Sequence, residues 1–204
     1  MFSPDSKIMQ ILSRITDLIL LNLLFLISCL PIFTIGAAIT ALYTMCFRLM
    51  REEYSGIMKS YLKAFRSNFK AATAAWGILL VIAVPAVYYL TQTSQLEGVL
   101  QFTGLFFVMI LLVALMAGSY AFPWISQFDN AVIQSLTNSL ILSVSRLPRT
   151  AAILAINLMP VIVLLLNADL FIQISFLWIS LYFAAAAYMN TGLLWHVFKP
   201  YRNE

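Results

Sequence analysis

The side chains able to carry chemistry are few in this chain, and they stand apart. His196 is the only histidine, placed between Trp195 and Val197, so no second imidazole can hold a metal with it. With Trp195 it reads as an anchor at a membrane interface. Cys29 and Cys46 lie in apolar runs without a CxxC spacing and read as packing residues. The phosphate-binding patterns GxxxxGKS/T and GxGxxG are absent, as are HExxH and GxSxG. No acid, base, nucleophile or metal cluster converges, so the expectation is a non-enzymatic protein with no catalytic residue, no cofactor and no metal.

Ionisable groups inside apolar runs would mark an ion or proton path, and they are scarce. Asp17 follows Arg14 by three residues, a spacing that allows a local pair. Asn22, Asn157 and Asn190 are uncharged and can satisfy themselves across helix interfaces. A proton-coupled pump built on buried carboxylates is therefore disfavoured.

The elements that must position these residues are set by composition. The 204 residues are 62% hydrophobic and 10% charged, with a mean hydropathy of +0.93. A soluble domain has roughly 45–50% apolar and about 25% charged residues, and no soluble core of this size buries the excess. Uncharged stretches run from Leu18 to Phe47, Ala71 to Leu96, Gly98 to Phe128, Thr150 to Ala168 and Leu170 to Phe198. Each is close to or beyond the roughly 20 residues that span hydrocarbon as a helix, and none alternates as a barrel strand does. The fold class is all-α, a polytopic transmembrane bundle in a single integral membrane domain over 1–204. A net charge of +4 sits between the apolar runs, which points to anionic lipid headgroups rather than nucleic acid as the partner.

The first stretch is too long for one untilted helix. Pro31 disfavours helical geometry in Leu30, Thr34 is able to cap a new helix and Gly36 allows close approach, which gives a helix-turn-helix; a single kinked helix is the alternative. Six membrane helices put all twelve basic residues on one side, whereas five leave Lys7 and Arg14 on the other, so the positive-inside rule favours six with both termini cytoplasmic. The expected spans are about 8–30, 35–50, 71–91, 99–124, 150–167 and 170–197. The outer connections are then the Pro31 to Gly36 turn, the Thr91 to Gly98 loop and the Asn167 to Asp169 turn.

Two further segments, about 54–69 and 129–146, read as cytoplasmic amphipathic helices. In the first, Tyr54, Ile57, Met58, Tyr61, Leu62, Phe65 and Phe69 share a face, with Lys59, Lys63, Arg66 and Lys70 on another. In the second, Asp129 is a candidate cap, Ile133, Leu136, Leu140, Ile141, Val144 and Leu147 form the apolar side, and Gln134, Asn138 and Ser145 lie opposite. Each ends in a basic clip before an outward span, Arg66, Asn68 and Lys70 in one and Arg146, Pro148 and Arg149 in the other, and these are the candidate residues for docking or lipid contact. The recurrence suggests a weak parallel duplication. Ahead of both in the chain, Gly36, Thr40 and Thr44, with Ala37 and Ala41, give a small-residue face for close helix packing, with Pro31, Thr34 and Tyr43 as further helix-packing residues.

Leu30-Pro31-Ile32-Phe33-Thr34-Ile35-Gly36, leading to Thr40-Ala41-Leu42-Tyr43, and then Phe65-Arg66-Ser67-Asn68-Phe69-Lys70, resemble the YesL-like family of bacterial integral membrane proteins, a family itself of unknown function. The chain has Gly36-Ala37 where that family leads one to expect Gly-Pro. The resemblance implies the bacterial cytoplasmic membrane and a genomic setting of carbohydrate uptake beside ATP-driven importers. Two functions then compete. One is an accessory or regulatory subunit that contacts permease subunits of a carbohydrate importer. The other is a transporter of small solutes or sugars in its own right. The topology has a direct test: with Cys29 and Cys46 removed, a cysteine introduced by Ser3→Cys should resist an impermeant reagent outside intact cells, and labelling there would contradict the six-helix reading.

Overall fold

The computed structural model describes residues 7–54, 56–93 and 99–201. Ser3, Gly98 and most of the Thr91 to Gly98 connection lie outside them. The described residues form helices without strands: α1 (Lys7–Cys29), a 3-10 turn (Ile32–Thr34), α2 (Ile35–Arg51), α3 (Ile57–Thr93), α4 (Val99–Ile125), α5 (Val132–Ser145), α6 (Leu147–Leu166), α7 (Ala168–Gln173), α8 (Ser175–Leu177), a π-turn (Trp178–Tyr182) and α9 (Phe183–Phe198), closed by a 3-10 turn (Lys199–Tyr201). Six helical stretches among them are long and apolar enough to cross a membrane. The chain is an all-α polytopic bundle.

The first apolar stretch breaks where its proline sits. Pro31 is extended (φ −79°, ψ 121°), and α1 and α2 return on one another, tied at their far ends by Arg14, whose guanidinium reaches Glu52 at 2.6 Å and the Leu49 carbonyl. A single kinked helix would separate these groups. Thr34 occupies the N-cap position of α2 without capping it. Its hydroxyl lies instead 2.6 Å from the Ser28 carbonyl, an acceptor that the end of α1 leaves open, and 2.7 Å from that of Pro31. Arg14 is engaged with Glu52 rather than with Asp17, which accepts from the Tyr54 hydroxyl at 2.7 Å.

α2 is the central element, with Ala37, Ala38, Thr40, Ala41 and Cys46 all buried. Thr40 and Thr44 return their hydroxyls to the carbonyls one turn back, Gly36 at 2.9 Å and Thr40 at 2.8 Å, so neither threonine donates to a neighbouring helix. A Cβ built on Gly36 would stand 2.5 Å from the Ala72 carbonyl oxygen and 2.6 Å from Trp76 Cβ. α2 and α3 therefore touch backbone to backbone.

From Ile57 on, the amphipathic segment and the span 71–91 are one continuous helix, α3. Nothing between Arg66 and Ala72 interrupts it, since Arg-Ser-Asn-Phe-Lys-Ala-Ala holds neither glycine nor proline and ends in good helix formers. Its 37 residues extend about 55 Å, against roughly 30 Å of hydrocarbon, and a helix this long tilts or projects. Because Gly36 meets Ala72 and Trp76, and Trp76 Nε1 donates to the Ile32 carbonyl at 2.9 Å, the α1–α2 turn lies beside the middle of α3. The rest of α3 continues past it and pairs with α4, where the rings of Tyr89 and Phe107 stack 4.2 Å apart. The two connections expected together at the outer face are thus separated by about 25 Å along α3.

α5 presents much of its apolar side outward. Ser135, Ser139, Leu142 and Ser143 are buried, while Ile133, Ile141, Val144 and Leu147 are exposed. Lipid tails are as apolar as these side chains, so burial is not what selects the contact face; small residues that let backbones approach are. Asp129 stands ahead of the helix, whose N-cap position is Ala131. Arg146 (φ −127°, ψ 44°) separates α5 from α6, with Pro148 in the first turn of α6, so this unit is broken where α3 is continuous and the two do not repeat one another.

The last apolar stretch is segmented as well. Asn167 caps α7 by accepting the Leu170 N–H at 2.9 Å, and the helix reforms at Ser175 before widening into the π-turn. Asn22, fully buried on α1, spans that turn. Its Nδ2 donates to the Ile179 carbonyl at 2.6 Å, and its Oδ1 accepts from the Ala184 N–H at 2.9 Å. A π-turn disrupts the regular ladder, and one carboxamide meets a carbonyl inside it and an N–H just past it.

Gly36 and Gly77 make a matched pair for testing the α2–α3 contact, because a Cβ on Gly77 would meet nothing within 4 Å. Gly36→Ala should cost about 1–3 kcal/mol by forcing the helices apart, whereas Gly77→Ala should gain up to about 1 kcal/mol from helix propensity. Unfolding in bicelles measures both, and equal stability of the two variants would remove the close-contact argument.

Candidate functional site

Three polar regions interrupt the apolar bundle. The deepest joins α2, α6 and α9. Asn190, fully buried, directs Nδ2 to the Asn157 Oδ1 at 2.7 Å and to the Tyr43 hydroxyl at 3.2 Å, while its own Oδ1 has no partner. Whichever way the amide is turned, one arm stays unpaired. One helical turn along α6 from Ile156, Pro160 lacks the N–H that would bond the Ile156 carbonyl; the Tyr182 hydroxyl donates to that oxygen instead.

The second region is at the open end of the α1–α2 hairpin, away from its turn. Besides the Arg14–Glu52 pair, Arg51 reaches Gln127 Oε1 at 2.8 Å and Glu53 at 3.7 Å, and its guanidinium carbon lies 5.4 Å from the Trp195 ring centroid, a cation–π arrangement. The hydrogen bond to Asp17 raises the pKa of the Tyr54 hydroxyl, which keeps it a donor. These contacts tie α1, α2, the α2–α3 connection, the α4–α5 turn and α9 together.

The third is the basic face of α3. Lys59, Lys63, Arg66 and Lys70 follow one another at intervals of four, three and four residues and are all exposed. Lys59, Leu62, Lys63, Arg66 and Ser67 line an open depression of about 570 Å3. Among the described residues none of these four cations has an ion-pair partner. The opposite side of the same turns is packed inward, with Ile57, Tyr61 and Ala64 buried, so part of the expected apolar face is core while Met58 and Leu62 stay exposed.

The candidate residues divide accordingly. Thr34, Gly36, Thr40, Tyr43 and Thr44 are buried around α2, and Pro31 is exposed at the turn. Arg66 and Lys70 belong to the basic face of α3, but Asn68 is occupied by its own helix, donating to the Ala64 carbonyl at 3.0 Å. Arg146 and Pro148 are exposed at the α5–α6 corner and Arg149 is half-buried, on elements separate from the α3 face. Asn22, Asn157 and Asn190 bond across helix interfaces, as their place in apolar runs leads one to expect, but the partners are not legible, since ones as far off as the 147 residues between Tyr43 and Asn190 carry no local trace. Among the described residues no group of three or more His, Cys, Asp or Glu is placed to hold a metal.

No curated protein and no solved structure matches the chain. Residues 18–89, covering most of the α1–α2 hairpin and all but the last turn of α3, match the family model described as a protein of unknown function, DUF624.

Proposed function

We propose that this protein is a non-enzymatic accessory or regulatory subunit of the bacterial cytoplasmic membrane, both termini cytoplasmic, that contacts permease subunits of a carbohydrate importer. The observation that carries the reading is the exposed basic face of α3, where four cations stand without an acidic partner among the described residues beside the helix that packs on α2. Such a face suits an acidic surface on a membrane neighbour. The importer itself comes from the setting that the family resemblance implies.

The basic residues divide by role. Lys70 and Arg149 orient the chain against anionic headgroups, each contributing on the order of 1 kcal/mol. Arg66 and Arg146, both exposed, are the docking residues; a guanidinium held by two parallel hydrogen bonds to a carboxylate loses that geometry when replaced by lysine. A second reading, a sugar or small-solute transporter, draws on the Tyr43–Asn190–Asn157 cluster, and uptake into proteoliposomes containing only this protein would favour it.

The test is a mild-detergent pull-down of the tagged protein from cells growing on a polysaccharide. Importer permease subunits should accompany the wild type and be lost from the Arg66→Lys, Arg146→Lys double variant, whose membrane insertion should be unchanged. Equal permease recovery with the double variant would refute the docking role, and recovery of the wild type alone would count against the subunit reading.

A further inference from the structure

Asn157 differs from the other two asparagines that stand in the apolar runs. Asn22 and Asn190 are fully buried, but Asn157 is exposed. It lies eight residues from Arg149 and twelve from Asp169 along the chain, about 12 Å and 18 Å of helix rise from the nearest charged positions flanking its span. That depth is hydrocarbon, which supplies neither donor nor acceptor. Its Oδ1 accepts from Asn190 and keeps a second lone pair. Of the two N–H groups on Nδ2, at most one can turn to the neighbouring Tyr43 hydroxyl, so at least one points to no partner among the described residues.

We infer that Asn157 is the centre of a two-fold contact between two copies of this chain, formed along α6. A carboxamide carries donor and acceptor in one plane, so two of them related by a two-fold axis exchange N–H···O bonds reciprocally, which is the self-complementarity that an isologous interface requires. An apolar stripe continues from it on the same side of α6: Val161 and Leu164, four and seven residues on, are exposed, as is Ala168 at the start of α7. Lipid covers those three at no cost, but it leaves the amide unsatisfied. A second copy satisfies it with a group that is certain to be at the same depth. The contact uses neither Arg66 nor Arg146 and stands apart from the proposed importer docking.

The experiment measures the dimer fraction in lipid bilayers over a dilution series of protein in lipid, by single-molecule photobleaching of a fluorescent fusion. The wild type should dimerise. Asn157→Leu should weaken association roughly tenfold, as expected for losing interhelical hydrogen bonds of about 0.6–2 kcal/mol each, while Asn157→Gln should retain most of it. Asn190→Leu removes the internal partner and leaves the lipid-facing amide, so it should dimerise still. Should Asn157→Leu fail to fold, Val161→Cys in a chain lacking Cys29 and Cys46 replaces it, and oxidation should link two copies there and not through a cysteine introduced by Ala152→Cys. A wild type that is monomeric throughout, undiminished association of Asn157→Leu, or no cross-link at Val161→Cys would each overturn the proposal.

Discussion

Hydrocarbon has no hydrogen-bonding capacity, and the breaks in this bundle are arranged around that constraint. A backbone group freed where a membrane helix ends, kinks or widens cannot turn to water, and leaving it unpaired costs several kcal/mol. Asn22 meets the Ile179 carbonyl inside the π-turn and the Ala184 N–H just past it. Tyr182 meets the Ile156 carbonyl that Pro160 releases. At the hairpin turn, the Thr34 hydroxyl reaches back to the Ser28 carbonyl, and Trp76 serves Ile32. In most of these cases the side chain comes from a different helix, so each local irregularity is also a tertiary tie.

The same solvent relaxes the usual patterning. In water, α5 would bury Ile133, Ile141 and Val144; here these face out while three serines and Leu142 are buried against the bundle. α1 buries Leu21, Asn22 and Phe25 and turns Ile11, Ile15 and Ile27 out. What drives contact is close approach, and Gly36 gives its clearest case, with the α3 backbone inside the space a methyl group would need. That contact fixes where the α1–α2 turn meets α3 and hence the stagger between the hairpin and the α3–α4 pair.

Much of this was legible in the sequence, and what was not has physical reasons. Spans follow from length and hydropathy, and the first turn follows from Pro31, because these signals are local. The continuity of α3 through Arg66–Ala72 is hidden by the shift there from amphipathic to apolar composition, although no residue stops a helix. The contact face of α5 is hidden because an apolar stripe marks the core only when water is the alternative. The segmentation of the last span leaves no proline or glycine between Asp169 and Phe183, and its support, Asn22, lies over 150 residues away. For the candidate site, the basic residues could be located but not their exposure, and the pairing of Asn190 with Tyr43 and Asn157 had no sequence signature.

The functional reading and the dimer contact rest on the same reasoning, that polar groups without an internal partner indicate an external one. On α3 those groups are cations, which call for an acidic neighbour. On α6 the group is a neutral amide, which its own copy can match. The premise beneath both is that polar satisfaction outweighs apolar burial inside this bundle, and Asn22→Leu tests it most directly. By burial alone the change replaces a polar core residue with an apolar one of similar volume and should stabilise. If two backbone groups at the π-turn depend on the carboxamide, unfolding in bicelles should show a loss of about 2–4 kcal/mol, and a variant as stable as the wild type, or more so, would contradict the account.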